Sequence, residues 1–310
     1  MAATALCCAK RCFRHAQRRA ITSWLQKGAS ILAVDAPSGL VAVLKPSGCM
    51  SHPNDAADIP KALVRLPYDS GAECFMLDQQ QAGGEGAPTR WFLLHRLDSA
   101  TSGVVLLCSD PMAAAAVKRA FAARTVSKLY QALVFCKAGA LPPRGTVTTW
   151  SDPITVKKRP PTPSAAGRGK GNVRATAAGG GGATAQAAVV TAVTEVNVVA
   201  ILQPGPFPLC SPGNVLALLE LRPRTGYTHQ LRHQCALHGL PIVGDRVYGD
   251  FKLNKAFVNG AKASNGALQP TRRCFLHHHR IEVALDGGRS FAATAPLPAE
   301  FQEILQRVER

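Results

Sequence analysis

The chain has 310 residues, 46% of them hydrophobic, and a formal net charge of +17. That length and apolar content support a folded domain with a buried core and exclude a chain that is disordered throughout. No apolar run approaches the ~20 residues a membrane-crossing helix requires, and so basic a chain works against a polyanion, with nucleic acid ahead of a membrane surface.

Residues 1–28 carry Lys10, Arg11, Arg14, Arg18, Arg19 and Lys27 and no acid. Taking those six from +17 leaves +11, so the basic excess extends beyond this segment. The stretch "MAATALCCAKRCFRHAQRRAITSW" is Ala-rich, and on a helix Arg11, Arg14 and Arg18 share one face. It reads as an import presequence, which places the protein in mitochondria; as a plain disordered basic arm it would leave cytoplasm or nucleus open.

"ILAVDAPSGLVAVLKPSGCMSHP" (31–53) predicts two short strands around a Pro-Ser-Gly turn, ending in a Lys-Pro loop. Residues 71–90 are polar and Gly-rich and predict a surface loop. After "WFLL" comes "HRLDSATSG", then "VVLLCS", a buried strand by its β-branched run. Ser109 or Asp110 can cap a helix over 111–124, with Pro111 in its first turn and Val117, Ala120 and Phe121 facing inward. "KLYQALVF" (128–135) is the next strand.

From Pro153 to Thr194 there is no acidic residue, and "KKRPPTP", "GRGKG" and "AAGGGGATA" lack large apolar groups. Residues 157–187 therefore read as a flexible basic insertion, either tracking phosphates or serving as a linker. "AAVVTAVTEVNVVAIL" and "NVLALLEL" (214–221) are strands, and "RPRTGYTHQLRHQCALHGLPIVGD" supplies a turn and a helix capped by Thr228 and stopped at Gly239. Helices and hairpins in this irregular order predict an α+β fold with a mixed, mainly antiparallel central sheet and flanking helices. Cys49, Cys74, Cys108, Cys136, Cys210, Cys235 and Cys274 lie singly with no C-x-x-C pair, the spacing of reduced, buried thiols inside a cell.

Two constellations carry chemistry. Asp98 sits in a loop between apolar segments, followed by small residues that leave room above its carboxylate. An isolated Asp of this kind caps a turn or pairs with Arg96; the loop placement and a second, Arg-bearing motif favour a functional role. That motif is "RTGYTHQLRH", in which His229, Arg232, His233 and Ala236 share a helix face. Two His at i and i+4 resemble a zinc pattern, but Gln230 stands where the general base would be and Arg232 adds a cation, so no metal is expected. Arg232 is better explained as the partner of a buried carboxylate, with Asp98 the candidate. Tyr130 points to one face of its strand, as a core aromatic or as a platform for a nucleobase. A single such Asp loop excludes an aspartic protease, and no G-x-S-x-G occurs to nominate a serine hydrolase.

Taken together, "LVAVLKPSGCMSHP", "HRLDSATSGVVLL", "SKLYQALV", "RTGYTHQLRHQCALHGLPIVGDRVYG" and "CFLHHHRIEV…FAATAPLP" resemble, in order, the blocks of the RluA-type pseudouridine synthases. The resemblance implies the pseudouridine synthase fold over 29–305, with insertions at about 71–90 and 157–187. It implies that Asp98 is the catalytic carboxylate, that Arg232 forms its salt bridge, and that Tyr130 packs on the target uracil. Arg96 would enter the RNA stack in place of the flipped nucleotide, with His95, Lys45, Thr101, His229 and Gln230 as further RNA-binding positions. The implied reaction breaks the C1′–N1 bond of a uridine in ribosomal or transfer RNA and rejoins the uracil through C5. It needs no cofactor. Extruding the uridine costs a few kcal/mol, part of which a stacking Arg recovers. A monomer acting on RNA or on ribosomal assembly intermediates is expected, the alternative being an assembly factor that uses the fold as a scaffold. The chain departs from the family pattern at Tyr227, where many members carry Arg. With no room before residue 31 for the small RNA-binding domain some relatives have, targeting is expected from the catalytic domain and its insertions.

Overall fold

The computed structural model describes residues 21–77, 89–157, 187–202, 213–263 and 273–308. In chain order the strands are β1 (Ser30–Asp35), β2 (Leu40–Lys45), β3 (Tyr68–Asp69), β4 (Cys74–Leu77), β5 (Thr89–Leu93) and β6 (Ser102–Cys108). Helix α1 (Pro111–Ala122) is followed by β7 (Ser127–Lys137), β8 (Val147–Lys157), β9 (Ala187–Leu202) and β10 (Asn214–Pro223). Helices α2 (Gln230–Leu237) and α3 (Phe251–Ala263), strands β11 (Leu276–Ala284) and β12 (Ser290–Thr294), and helix α4 (Ala299–Val308) complete the order.

The strands form one mixed sheet in the order β3-β4-β5-β6-β11-β7-β10-β9-β8, with β2 also on β6, β1 on β2 and β12 on β11. Every pairing between these strands is antiparallel except β6 with β11, which run parallel through Ser102–His277 and Gly103–His278. The expected α+β class with a mainly antiparallel sheet is what the chain adopts. All seven residues of β6 are buried, as a continuous apolar run in a central strand requires. One core lies beneath β7, β10 and helices α2, α3 and α4, around Phe135, Leu219, Leu231, Phe257 and Phe301. Two others cover the faces of β2 and β6, one with Leu63, Phe75 and Trp91, the other with Leu106, Val117 and Phe291.

The β6–β11 seam joins the two halves and fixes where the loop before β6 emerges. Gly103 holds φ +122° there, and a Cβ at this position would run into the His278 backbone. Only glycine lets the strands meet this closely. Asp110 caps α1, accepting from the Ala113 N–H at 2.7 Å.

Three expectations change. Residues 21–28, assigned to the basic arm, are folded: Ile21 and Leu25 are buried and Trp24 packs on the same core. The apolar spacing of these three residues outweighs the basic neighbourhood in which they sit. The loop over 71–90 is interrupted by β4, whose Cys74, Phe75 and Leu77 are buried, because a short apolar run suffices for an edge-side strand. Helix α2 starts after His229, which takes the left-handed conformation (φ 57°) with no side-chain cap, so Thr228 does not cap it. Residues 158–186, the bulk of the basic insertion, lie outside the described residues, as do residues 1–20.

Candidate active site

Loop 98–102 follows β5 and turns sharply into β6, and the Lys-Pro-Ser-Gly segment at the end of β2 holds the backbone of Ser99, Ala100 and Thr101. Lys45 Nζ donates to the carbonyls of Pro46, Ser99 and Thr101 at 3.1, 3.2 and 2.7 Å. Ser47 Oγ donates to Ala100 O at 2.8 Å, and Gly48 N–H to Ser99 O at 2.7 Å. Ser51 bridges Leu97, its hydroxyl donating to the carbonyl at 2.8 Å and accepting the N–H at 2.9 Å. From behind, Arg273 Nη2 donates to Ser102 Oγ, which bonds His277 Nδ1 at 2.8 Å. Small side chains let all these donors reach the backbone. Ser99, Ala100, Thr101 and Ser102 are each braced, so the small-residue run after Asp98 serves to hold that carboxylate in place.

Lys45, expected among the RNA-binding positions, is turned into the fold. It has no exposed surface and its ammonium is spent on three carbonyls, with burial lowering its pKa to about 8. It braces the loop that carries Asp98.

Asp98 opens onto a cleft of about 250 Å³ lined by His95, Arg96, Thr101, Tyr130, His229 and Arg232, among others. Arg232 Nη1 meets Asp98 Oδ2 at 3.4 Å, and His229 Nε2 lies 3.5 Å from Asp98 Oδ1. The sequence expectation that the acid and the guanidinium touch is met in this geometry. What sequence reasoning missed is the second acid. Asp245, from the turn after α2, takes Arg232 Nε and Nη2 at 2.7 Å each. Its Oδ1 also accepts the N–H groups of Val247 and Tyr248 at 2.9 and 3.1 Å. Burial pushes this carboxyl up, but the Arg232 bonds and the two backbone N–H groups outweigh it and hold the pKa below the ordinary value. Asn254 of α3 locks the turn, donating to Asp245 O at 3.0 Å and accepting from Gly244 N–H at 2.7 Å. The available signal was the Gly-Asp pair in "IVGDRVYG": a turn Asp whose neighbour Gly244 sits at φ +74° against the Arg273 carbonyl.

Tyr130 stacks on His278 at 4.3 Å and 14°. Burial, and then the Asp98 charge, push its phenol up, so the ring stays neutral beside the acid. His278 is fully buried and bonds Val104 O through Nδ1 at 2.8 Å. Its pKa is pushed well below the usual value by burial first and by the His95 imidazole second. His95 accepts the Leu106 N–H at 3.1 Å, which orients its ring at the cleft wall. Arg96 is exposed at the mouth, its Nη1 donating to His52 Nε2 at 3.3 Å.

Two other expected RNA contacts are turned inward. Gln230 is buried, its amide donating to Thr194 Oγ1 and Val193 O while its oxygen accepts from Thr225 Oγ1 at 2.8 Å and Tyr227 N–H at 3.2 Å. Its polar atoms are taken up in fixing α2 on β9, so it positions Arg232. Thr101 lines the cleft but is also buried, and its carbonyl belongs to Lys45. His229 does face the cleft, with Nδ1 3.2 Å from Tyr248 Oη. Arranged this way, the site offers one aimed carboxylate under a neutral aromatic wall, with cations behind it and at its mouth.

Comparison with known proteins agrees with this chemistry. A family model described as RNA pseudouridylate synthase matches residues 39–237. The chain is 31% identical over 219 residues to a protein named tRNA pseudouridine synthase C of Vibrio vulnificus, covering 70% of this chain and 77% of that one. It is 27% identical over 277 residues to the mitochondrial pseudouridylate synthase RPUSD4 of Xenopus tropicalis, covering 87% and 78%. The fold is shared with human RNA pseudouridylate synthase domain containing 4 at a TM-score of 0.54 and 24% identity, over 95% of this chain and 96% of that one.

Proposed function

Because this chain belongs to the RNA pseudouridylate synthase family, we propose that Asp98 is the carboxylate at which it converts uridine to pseudouridine in RNA. The ionised Asp98 acts at C1′ of an extruded uridine. The C1′–N1 bond breaks, the uracil turns, and C5 bonds to C1′ while its proton departs and N1 gains one. No atom is gained or lost overall, so no cofactor is called for. Arg232 keeps the carboxylate charged and aimed, which places the reacting groups in attack geometry. Tyr130 offers its ring to the uracil face, and Arg96, exposed at the mouth, fills the gap the nucleotide leaves.

The observation that carries this reading is the guanidinium of Arg232, held on one edge by Asp245 at 2.7 Å twice and turned toward Asp98 at 3.4 Å on the other. A salt bridge that only stabilised the fold would need no second acid facing a cleft. Transfer RNA is the proposed substrate class, supported by the name of the Vibrio relative, with ribosomal RNA as the competing target. Mitochondria are the proposed site of action, supported by the basic Ala-rich N-terminus and the name of the frog relative. Incubating the full chain with unmodified transfer RNA and with ribosomal RNA, then measuring pseudouridine in each, tests the reading. Asp98→Asn is expected to form none while still binding RNA, and pseudouridine formation by that variant overturns the assignment.

A further inference from the structure

Lys128, which lines the cleft, and Arg124, which bonds the cleft residue Tyr227, are two cations with no carboxylate in ion-pair distance among the described residues. Helix α1 ends in a Schellman arrangement, in which Thr125 N–H bonds Ala120 O at 3.0 Å and Arg124 N–H bonds Phe121 O at 3.1 Å. The left-handed position of that motif is ordinarily glycine, which has no Cβ to strain. Here it is Arg124, at φ 60°. Local conflicts of this kind gather where a side chain serves something other than the fold.

The Arg124 guanidinium is exposed, and its Nη2 donates to Tyr227 Oη at 3.4 Å. Tyr227 and Lys128 both line that cleft. Lys128 is half-buried, and its Nζ donates to Thr225 O at 3.3 Å. Burial, and then the Arg124 charge, lower its pKa. Among the described residues neither cation has a carboxylate within ion-pair distance. Two positive charges that repel one another, one of them partly desolvated, are relieved by an anion between them. The groups on offer are the two-pronged edge of a guanidinium, the point charge of an ammonium and a phenolic hydroxyl. That set matches the non-bridging oxygens of a phosphodiester.

We propose that Arg124, Lys128 and Tyr227 form a phosphate-binding rim that grips the RNA backbone beside the nucleotide entering the Asp98 cleft. The proposal rests on the reading of Asp98 as acting on RNA, and it assigns the rim to holding the strand, apart from the chemistry.

Deproteinised total RNA titrated against the full chain at a series of salt concentrations tests it. Each phosphate contact contributes about 0.7–0.9, the lower figure for single strands, to the slope of log affinity against log salt. Arg124→Gly removes the guanidinium yet suits the left-handed backbone, so a folding defect cannot imitate the result. This variant is expected to bind RNA several-fold more weakly at low salt, with a slope shallower by about one contact and a thermal midpoint equal to or above wild type. Arg124→Lys is expected to keep most of the slope. Unchanged affinity and slope in Arg124→Gly overturn the rim, and so does wild-type RNA binding that is insensitive to salt. Asp98→Asn is expected to abolish isomerisation without altering the slope, so failure of the catalytic reading and failure of the rim are seen in different measurements.

Discussion

Asp245 and Asp98 share one guanidinium unequally: Asp245 closes on Arg232 with two bonds of 2.7 Å, whereas Asp98 meets it at 3.4 Å. The planar fork of Arg232 makes this division possible, since its edges point in different directions and stay charged throughout. Asp245 is 1% exposed and Arg232 5%, so that pair is a buried anchor, and Asp98, nearer solvent, is the acid left for substrate.

Removing the anchor charge strands the guanidinium. Asp245→Asn is expected to destabilise the fold by about 3 kcal/mol, toward the lower end for a broken buried pair because the amide still bonds Val247 and Tyr248. Turnover should fall at least tenfold with RNA affinity nearly kept. Urea denaturation and single-turnover pseudouridine formation give the two readings, and wild-type values in both would show that Asp245 does not orient Arg232. Arg232→Lys should lose the same function, because an ammonium cannot serve two carboxylates at fixed angles.

Lys45 separates bracing from RNA contact. Lys45→Met fills similar volume but leaves the carbonyls of Pro46 and Thr101 without their donor, an expected cost of about 1–3 kcal/mol. Because the loop bearing Asp98 loosens, kcat should drop while RNA affinity and its salt dependence remain as in wild type. A shallower salt slope for Lys45→Met would mean that Lys45 meets phosphate after all.

Stability should fall in mild acid. His277 and His278 are fully buried and neutral; burial first, offset only in part by the Ala295 carbonyl, brings His277 to about 4, and His278 is lowered in the same direction. In the unfolded chain a histidine titrates near ~6.5. Between those values the unfolded state binds protons that the fold refuses. Stability is therefore complete above about pH 6.5 and declines as pH falls toward 4, by up to ~1.4 kcal/mol per pH unit for each histidine. Denaturant midpoints from neutral pH down to about 5 read this effect together with that of His95, which burial lowers to about 3, since most carboxylates titrate lower. A flat midpoint across that window would mean that these rings are charged in the fold. His277→Gln, which can still accept from Ser102, should shallow the decline.

Much of the molecule was legible from local pattern. Strand β9 coincides with "AAVVTAVTEVNVVAIL", α2 stops at Gly239, and β1 and β2 flank the Pro-Ser-Gly turn, because periodicity and turn residues act over a few positions. The Asp98–Arg232 meeting was legible too, from a lone acid in a loop and a lone cation on a helix face, each needing a partner. Lys45 misled because a lysine in a loop motif looks the same whether its ammonium meets solvent or three carbonyls. Asp245 was passed over because its Gly-Asp pair marks a tight turn without naming the arginine thirteen positions earlier that its carboxylate anchors.

The amino-acid order alone determined most of the elements, the α+β class and the approach of Asp98 to Arg232, since propensity, turn chemistry and charge are properties of residues and their near neighbours. Only the tertiary structure decided that Gly103 closes the seam, that Lys45 turns inward, and that Arg124 comes to rest against Tyr227 across 103 positions of chain. Those outcomes depend on distances that exist only once the sheet has brought its two halves together.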